Sequence, residues 1–323
     1  MPGAIPADNS SVPLCLHSSP ASIHEHALTA LDGRDFALIA DLAHRSFGLD
    51  LRPDKQDLVA VRLGRLVHEL GLTGFRQYCE YLLADRTGAA VAALADRLTT
   101  NHTSFFREPA HFDFLCDTVL PRLNARPRID IWSAGCSSGE EPFSIAISLL
   151  EAAPHAASRV RIHATDISTR MLQRASAAVY HPDRVASIPS VLRSRYFAQA
   201  GESGMLRVAH HVRALVDFAY FNLMEPFPPC RYSAIFCRNV MLYFVRSTTQ
   251  SLIRRFVEQL EPGGFLFIGH SESLSGMEHS LETVTPSIYR KPGQSGRSYF
   301  ATAPPKHRTA LTPFSVAPEE VSA

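Results

Sequence analysis

No stretch of about 18 apolar residues occurs in this chain, so no segment is long enough to span a bilayer as a helix. The first residues carry no basic run ahead of a continuous apolar one, which excludes a recognisable secretory signal. Neither sign of charge is in excess. Lys and Arg total 32 against 31 Asp and Glu, a formal net charge of +1, which argues against a general nucleic-acid binder and confines electrostatic preference to local patches. There is no C-x-x-C pair among the six cysteines, Cys15, Cys79, Cys116, Cys136, Cys230 and Cys237, which are scattered through apolar segments as the reduced core thiols of a cytoplasmic protein are. Zinc-ligand spacing is missing as well. Of the fifteen histidines, His24 and His26 flank Glu25 in a polar lead segment and His210–His211 stand alone, so no metal is expected.

What is present points to two folded parts. The chain of 323 residues is 46% hydrophobic, enough for two domains with a core each. Residues 1–28 and 292–323 are rich in Pro, Ser, Thr or Ala without a period, and are read as a disordered leader and tail. Residues 29–98 show helical periodicity broken by Gly48, Pro53, Gly71, Gly74 and Gly88, which predicts a small domain of about four helices. In the second of them Val59, Leu63, Leu66, Val67 and Leu70 form a core stripe. Lys55, Arg62 and Arg65 run beside it, either as a solvated basic edge or as a docking surface for an acidic protein segment.

Residues 99–110 are unlike a plain connection. TTNHTSFFREP packs Asn101, Thr103, Ser104, two phenylalanines and Arg107 into one short stretch, ahead of a helix that Pro109 starts. From Arg128 strands alternate with helices, which predicts a mostly parallel sheet covered on both faces. Its first unit, Ile129–Ile147, reads strand, small-residue turn, helix, with Gly135 and Gly139 letting the backbone approach a ligand. The turn lacks G-x-G-x-x-G spacing, and Glu140 and Glu141 stand at the mouth of its helix. Those acids would repel a diphosphate and hold a phosphate-free cofactor with a cationic end, as S-adenosylmethionine is, unless they only complement the helix dipole. Asp166 ends the second strand, where a ribose is bound in dinucleotide folds, and could equally cap the next helix. Asn222 and Asn239 fall just past the carboxyl ends of later strands, the edge where ligands lie in such sheets. Residues 180–216 interrupt the alternation and read as an inserted β-subdomain.

Taken in order, TTNHTSFFRE, WSAGCSSGEEP, ATD, FNL, IFCRNVMLYF and GGFLFIGHSE resemble the CheR family of chemotaxis protein methyltransferases over residues 35–291. The resemblance implies an all-α N-terminal domain and, over 111–291, a Rossmann-like α/β S-adenosylmethionine-dependent methyltransferase domain with a small β-subdomain. It implies methylation of glutamate side chains on the cytoplasmic helices of chemoreceptors, the methyl-accepting chemotaxis proteins. Cofactor contacts carry over to Asn101, Thr103, Arg107, Glu140, Asp166, Asn222, Leu223, Asn239 and Val240. Arg107 and Tyr243 match the residues held closest to the transferred methyl, and Lys55, Arg62 and Arg65 match the helix that meets the receptor. Two departures stand out. Phe143 replaces a tyrosine found in many members, on what is expected to be a buried face; and the loop Gln199–Met205 is shorter than in members that dock on a receptor's C-terminal pentapeptide. The shorter loop predicts direct recognition of the methylation helices. The competing readings are a methyltransferase of the same fold acting on another protein or a small molecule, and a cofactor-sensing protein without activity.

Overall fold

The structure, a computed structural model, describes residues 30–123, 126–201 and 204–293. The expected leader, with Cys15 and His24–His26, lies outside the described residues, as do the tail after Gly293 and two residues of the Gln199–Met205 loop. No described helix is long and apolar enough to cross a membrane.

Four helices come first. Helix α1 (Gly33–Phe47) begins at Asp32, whose carboxylate accepts the Asp35 N–H at 2.7 Å, and ends at Gly48 with φ 76°, a side-chain cap at one end and a left-handed stop at the other. Helices α2 (Gln56–Glu69), α3 (Phe75–Ala84) and α4 (Ala89–Leu98) fold against it, and their apolar stripes meet in a core holding Phe36, Ile39, Leu63, Tyr78 and Leu94. Truncating Leu63 to alanine there would cost about 2–5 kcal/mol. Val59, Leu63, Leu66 and Val67 are buried as the α2 stripe predicts, but Leu70 is 39% exposed. The helix stops at Glu69 and the chain turns at Gly71, so the phase that would carry Leu70 inward is lost.

Residues 99–109 form no helix or strand, yet both phenylalanines are buried. Phe105 meets Tyr180 and Phe197 edge-on at 5.0 and 5.3 Å, and Phe106 meets Phe112 at 5.7 Å. Then follow α5 (Ala110–Phe114), a π turn over Leu115–Val119 and α6 (Leu120–Leu123). Phe112, Leu115 and Val119 are buried, while Cys116, inside the π turn, is half-buried.

The remaining chain is β1 (Ile129–Ala134), α7 (Glu140–Ala152), β2 (Val160–Asp166), α8 (Thr169–Ala177), an insert, β6 (Val216–Tyr220), β7 (Tyr232–Cys237), α12 (Arg246–Gln259), β8 (Leu260–Ile268), β9 (Glu282–Thr285) and β10 (Ile288–Arg290). The insert holds β3 (Val179–Tyr180), α9 (Pro182–Val185), α10 (Ser190–Tyr196), β4 (Phe197–Gln199), β5 (Leu206–Val208) and α11 (His210–Arg213), its strands forming a small antiparallel sheet. The large sheet has the order β6-β2-β1-β7-β8-β10-β9, parallel from β6 to β8 and antiparallel beyond. Both faces are covered, and successive residues divide between them. Ile131, Phe236 and Phe267 join one core, and Trp132, Ile235 and Leu266 join the other, the period of two that a doubly covered strand requires. Phe143, at the start of α7, is fully buried.

The helical half is bonded directly to the sheet half. Asp50 donates its N–H to the Tyr243 carbonyl at 2.8 Å, Asn222 Nδ2 donates to the Ser46 carbonyl at 2.6 Å, and Ser168 and Thr169 both donate hydroxyls to Asp96. These bonds bring the end of α1 over the carboxyl ends of β1, β2, β6 and β7.

Candidate active site

Between those strand ends and the helical domain lies a cleft lined by residues of both. It sits where the strand order reverses between β1 and β7, the switch point at which open α/β sheets bind ligands. One wall is the turn after β1. Gly135 takes φ 88°, and a Cβ there would lie 2.5 Å from Val240 Cγ2; Gly139 takes φ 95°, and its Cβ would meet Ala175 and the Tyr180 hydroxyl at 3.0 Å. Only glycine fits either position. Four of the turn's N–H groups are committed: Gly135 and Cys136 donate to the Thr165 carbonyl and Ser137 to Asp166 Oδ2 at 2.8 Å, both at the end of β2, and Gly139 donates to the Cys136 carbonyl. A phosphate cradle needs such groups free. With those four committed and the Glu141 carboxyl on the cleft wall, the turn is a poor cradle for a diphosphate.

The two acids of the turn part company. A helix rotates by about 100° per residue, and Glu141 lines the cleft whereas Glu140 does not. Glu141 accepts from Ser133 Oγ at 2.7 Å and from Arg238 Nη1 at 3.1 Å, and burial pushes its carboxyl above the ordinary range. Glu140 is fully buried, ion-paired to Arg184 of α9 and bonded by the Ser138 hydroxyl at 2.7 Å. The cofactor contact expected of Glu140 is corrected accordingly: its side chain joins α7 to the insert, and Glu141 is the acid at the cleft.

Asp166 ends β2 on the cleft wall, 8% exposed. Its oxygens accept the Ser137 and Ser168 N–H groups, both at 2.8 Å, and burial outweighs these bonds to raise its carboxyl. A carboxylate has about four lone-pair directions, so acceptor capacity remains for hydroxyls of a ribose. It does not cap α8, since Ser168 does so through its hydroxyl to the Met171 N–H.

The remaining expected contacts all line the cleft: Asn101, Thr103, Arg107, Asn222, Leu223, Asn239, Val240 and Tyr243. Several are already committed to holding the chain in place. Asn222 uses its amide on Ser46 and its carbonyl oxygen on the Met224 N–H, and Asn239 takes φ 59° with its N–H on Glu272 Oε2 at 2.9 Å. Arg107 Nη1 donates to the His102 carbonyl at 3.1 Å. Sequence reasoning missed the group behind them. Arg238, its side chain 2% exposed, pairs with Glu108 at 2.9 Å and with Glu141 at 3.1 Å. Burial alone would raise the Glu108 carboxyl, but the guanidinium outweighs it and holds the group below its ordinary range. A charged residue directly after YSAIFC, a strand buried at every position, was the available signal: the charge had to be placed beside the sheet's end.

Glu108, His111 and His270 bring ligand atoms within 4.8 Å of one another, an arrangement that histidine spacing could not reveal. Glu108 is held there by Arg238, and burial with Arg238 drives His111 down to about 3, leaving a neutral ring bonded to Ser287 Oγ at 2.7 Å.

The basic stripe on α2 lies away from the cleft and is unequal. Arg65 is 81% exposed and pairs with Glu69, and Lys55 stands 3.4 Å from Asp54. Arg62 is instead a strut, donating to the Leu98 carbonyl at 2.5 Å and to Thr100 Oγ1 at 2.8 Å. Of the three residues expected to dock, Arg62 thus also secures the start of the linker.

Two family models match the chain in succession. Residues 34–99 match "CheR methyltransferase, all-alpha domain", and residues 101–289 match "CheR methyltransferase, SAM binding domain". A chemotaxis protein methyltransferase of Borreliella burgdorferi is 37% identical over 267 residues, covering 80% of this chain and 94% of that protein. The Escherichia coli protein of the same name is 37% identical, covering 80% and 91%, and chemotaxis protein methyltransferase 2 of Pseudomonas aeruginosa is 36% identical, covering 84% and 98%. S-adenosylmethionine, with its ribose, its cations and no phosphate, fits the Asp166 and Glu141 carboxyls on the cleft wall. With the model for each half matched in order and relatives covered almost end to end, the chain belongs to the CheR family of S-adenosylmethionine-dependent methyltransferases.

Proposed function

We propose that this protein methylates glutamate side chains on the cytoplasmic helices of chemoreceptors, forming glutamyl methyl esters, and that it acts in the cytoplasm. The observation that carries the reading is a cleft lined together by Asp166, Glu141, Arg107 and Tyr243, beside a turn that commits the Gly135, Cys136, Ser137 and Gly139 amides within the protein.

When bound, S-adenosylmethionine supplies a sulfonium methyl: a carboxylate oxygen forms the new O–C bond in line, the C–S bond breaks with its electron pair going to sulfur, and S-adenosylhomocysteine leaves. A glutamate of pKa about 4.3 is already ionised at neutral pH, so the chain need not supply a base. Its residues hold and orient. Arg107 offers a forked cation suited to a carboxylate, and must engage the oxygen that does not attack, since pairing with the attacking one would quench it. Tyr243 fixes the geometry from the other side, its carbonyl tied to the Asp50 N–H at 2.8 Å. The roof contributed by Phe47 and Leu49 keeps water from the carboxylate.

Receptor docking falls to Lys55 and Arg65, with the exposed Leu58 and Val61 between them along α2. Recognition is direct rather than through a tethered pentapeptide, a reading supported by the shortness of the Gln199–Met205 loop. Mass spectrometry of co-expressed receptors tests the whole reading by seeking a 14 Da gain on specific glutamates, about the mass of one CH₂. Receptors that stay unmodified while another protein or a small molecule accepts the methyl would favour the alternative substrate. Reversing Lys55 and Arg65 to Glu should raise the receptor KM and leave S-adenosylhomocysteine binding unchanged.

A further inference from the structure

Arg238 sits one residue past β7 with its guanidinium almost entirely out of solvent. Each nitrogen of the fork is engaged. Nη2 donates to the Arg107 carbonyl and to Glu108 Oε2 at 2.9 Å, Nε to the same oxygen at 3.3 Å, and Nη1 to Glu141 Oε2 at 3.1 Å. The ring of Phe112 lies 5.5 Å from its central carbon. One planar cation therefore ties together the linker, the first turn of α7 and the end of β7, the three segments that carry Arg107, Glu141 and Asn239 to the cleft.

The linker needs that tie. Phe106 and Glu108, on either side of Arg107, have φ of 54° and 58°, a region that side-chain-bearing residues keep only where surrounding contacts over-determine it. The contacts that do so reach the backbone from outside: Ser144 Oγ accepts the Phe106 N–H at 2.9 Å on one side, and Arg238 clamps the Arg107 carbonyl and the Glu108 carboxylate on the other. Among the described residues, the Arg107 guanidinium itself is held by its bond to the His102 carbonyl. Its aim therefore depends on where its backbone is pinned.

We propose that Arg238 is a positioning residue for methyl transfer: by fixing the Arg107 carbonyl and the Glu108 carboxylate, it presents the Arg107 guanidinium to the cleft already oriented. The proposal rests on Arg107 being the residue that orients the substrate carboxylate. Lysine cannot replace Arg238, because a single ammonium cannot reach three acceptors spread around a planar fork.

A double-mutant cycle tests it. Initial rates on receptor-bearing membranes, calorimetric S-adenosylhomocysteine affinity and thermal melting are measured for the full chain, R107A, R238K and R107A/R238K. R238K should lower kcat by tenfold or more while product affinity and receptor KM stay within threefold, and the double variant should be no slower than R107A. Losses that multiply in the double variant, or an R238K affinity loss as large as its rate loss, would overturn the proposal. Wild-type turnover in R107A would instead remove the reading beneath it, a separate result. Should R238K fail to fold, E108Q keeps the shape and drops one charge of the clamp; it should give a smaller kcat loss that is again absent in the R107A background, and a loss that persists there would overturn the proposal.

Discussion

The cleft has two walls of backbone that differ in what holds them. The turn after β1 is held through its backbone, its amides donating to Thr165 and Asp166 at the end of β2 and, within the turn, to Cys136, and its glycines lie where no Cβ fits. The linker is held mainly through side chains, with Arg107 on the His102 carbonyl and Asn101 on Thr99 closing inside it. Side chains from four other elements reach in to hold it: Arg62 of α2 on Leu98 and Thr100, Arg184 of α9 on the Thr103 carbonyl at 2.9 Å, Ser144 of α7 on the Phe106 N–H, and Arg238 after β7 on the Arg107 carbonyl. A turn bonded through its backbone to the neighbouring strand suits a part that recognises an unchanging cofactor. A linker held from outside suits the part that must meet both cofactor and incoming substrate, because its position reports on how well the surrounding elements are docked.

The comparison breaks most violently at Gly135. An alanine there must keep a φ of 88° and place its Cβ 2.5 Å from Val240 Cγ2, so G135A should lose about 3 kcal/mol of stability together with most cofactor binding. Adding V240A relieves the collision and leaves the backbone strain, so the pair should recover only part of the loss in a chemical-denaturation titration. Full recovery would mean the turn is held by packing alone. On the linker side R107A should cut turnover by about 100-fold, or about 2.7 kcal/mol of barrier, with S-adenosylhomocysteine affinity near wild type by calorimetry. A loss of affinity matching the loss of rate would make Arg107 a cofactor-holding group and dissolve the division between the walls.

The turn wall was also the legible one. Strand, glycine turn and helix are consecutive in the chain, and the chemistry of Gly135, Gly139 and Asp166 follows from local rules about φ and strand ends. Alternating strands and helices likewise announced the parallel sheet, and periodicity the four helices before it. What local rules leave open is phase. Glu140 and Glu141 are the same residue type in adjacent positions, and only the docking of α7 decides that the second faces the cleft while the first meets Arg184. Arg62 and Arg65 are three residues apart on one helix, yet one is a strut and the other 81% exposed, because the Leu98 carbonyl happens to end α4 beside the former. The outside supports of the linker lie 36 to 131 positions from it in sequence, beyond the reach of any pattern.

Arg62 offers a milder way to sharpen the contrast. R62A removes two charge-assisted bonds from the linker's first residues, so it should cost roughly 1–2 kcal/mol in stability and slow methyl transfer several-fold. R65A serves as its control, changing stability by less than about 0.5 kcal/mol because an exposed pair contributes little. Equal effects from the two, in paired melting curves, would return Arg62 to the basic surface.

The finest distinction is one of sign. On the linker wall Glu108 lies below the ordinary carboxyl range because Arg238 outweighs burial; beside the turn Asp166 lies above it because burial outweighs two N–H bonds. For Glu108 the folded pKa is under the unfolded value of about 4.3, so its contribution is complete above that value and is lost as pH falls through the folded pKa. For Asp166 the folded pKa exceeds the unfolded value of about 3.9, so its ionised form costs stability at neutral pH and the cost disappears as pH falls through that window. Denaturant titrations of wild type, E108Q and D166N between about pH 7 and about pH 3 should therefore diverge. The wild-type advantage over E108Q shrinks on acidification, while wild type gains on D166N. Parallel curves for the two variants would mean that neither carboxyl titrates differently in the folded state, and that the walls differ in hydrogen bonding alone.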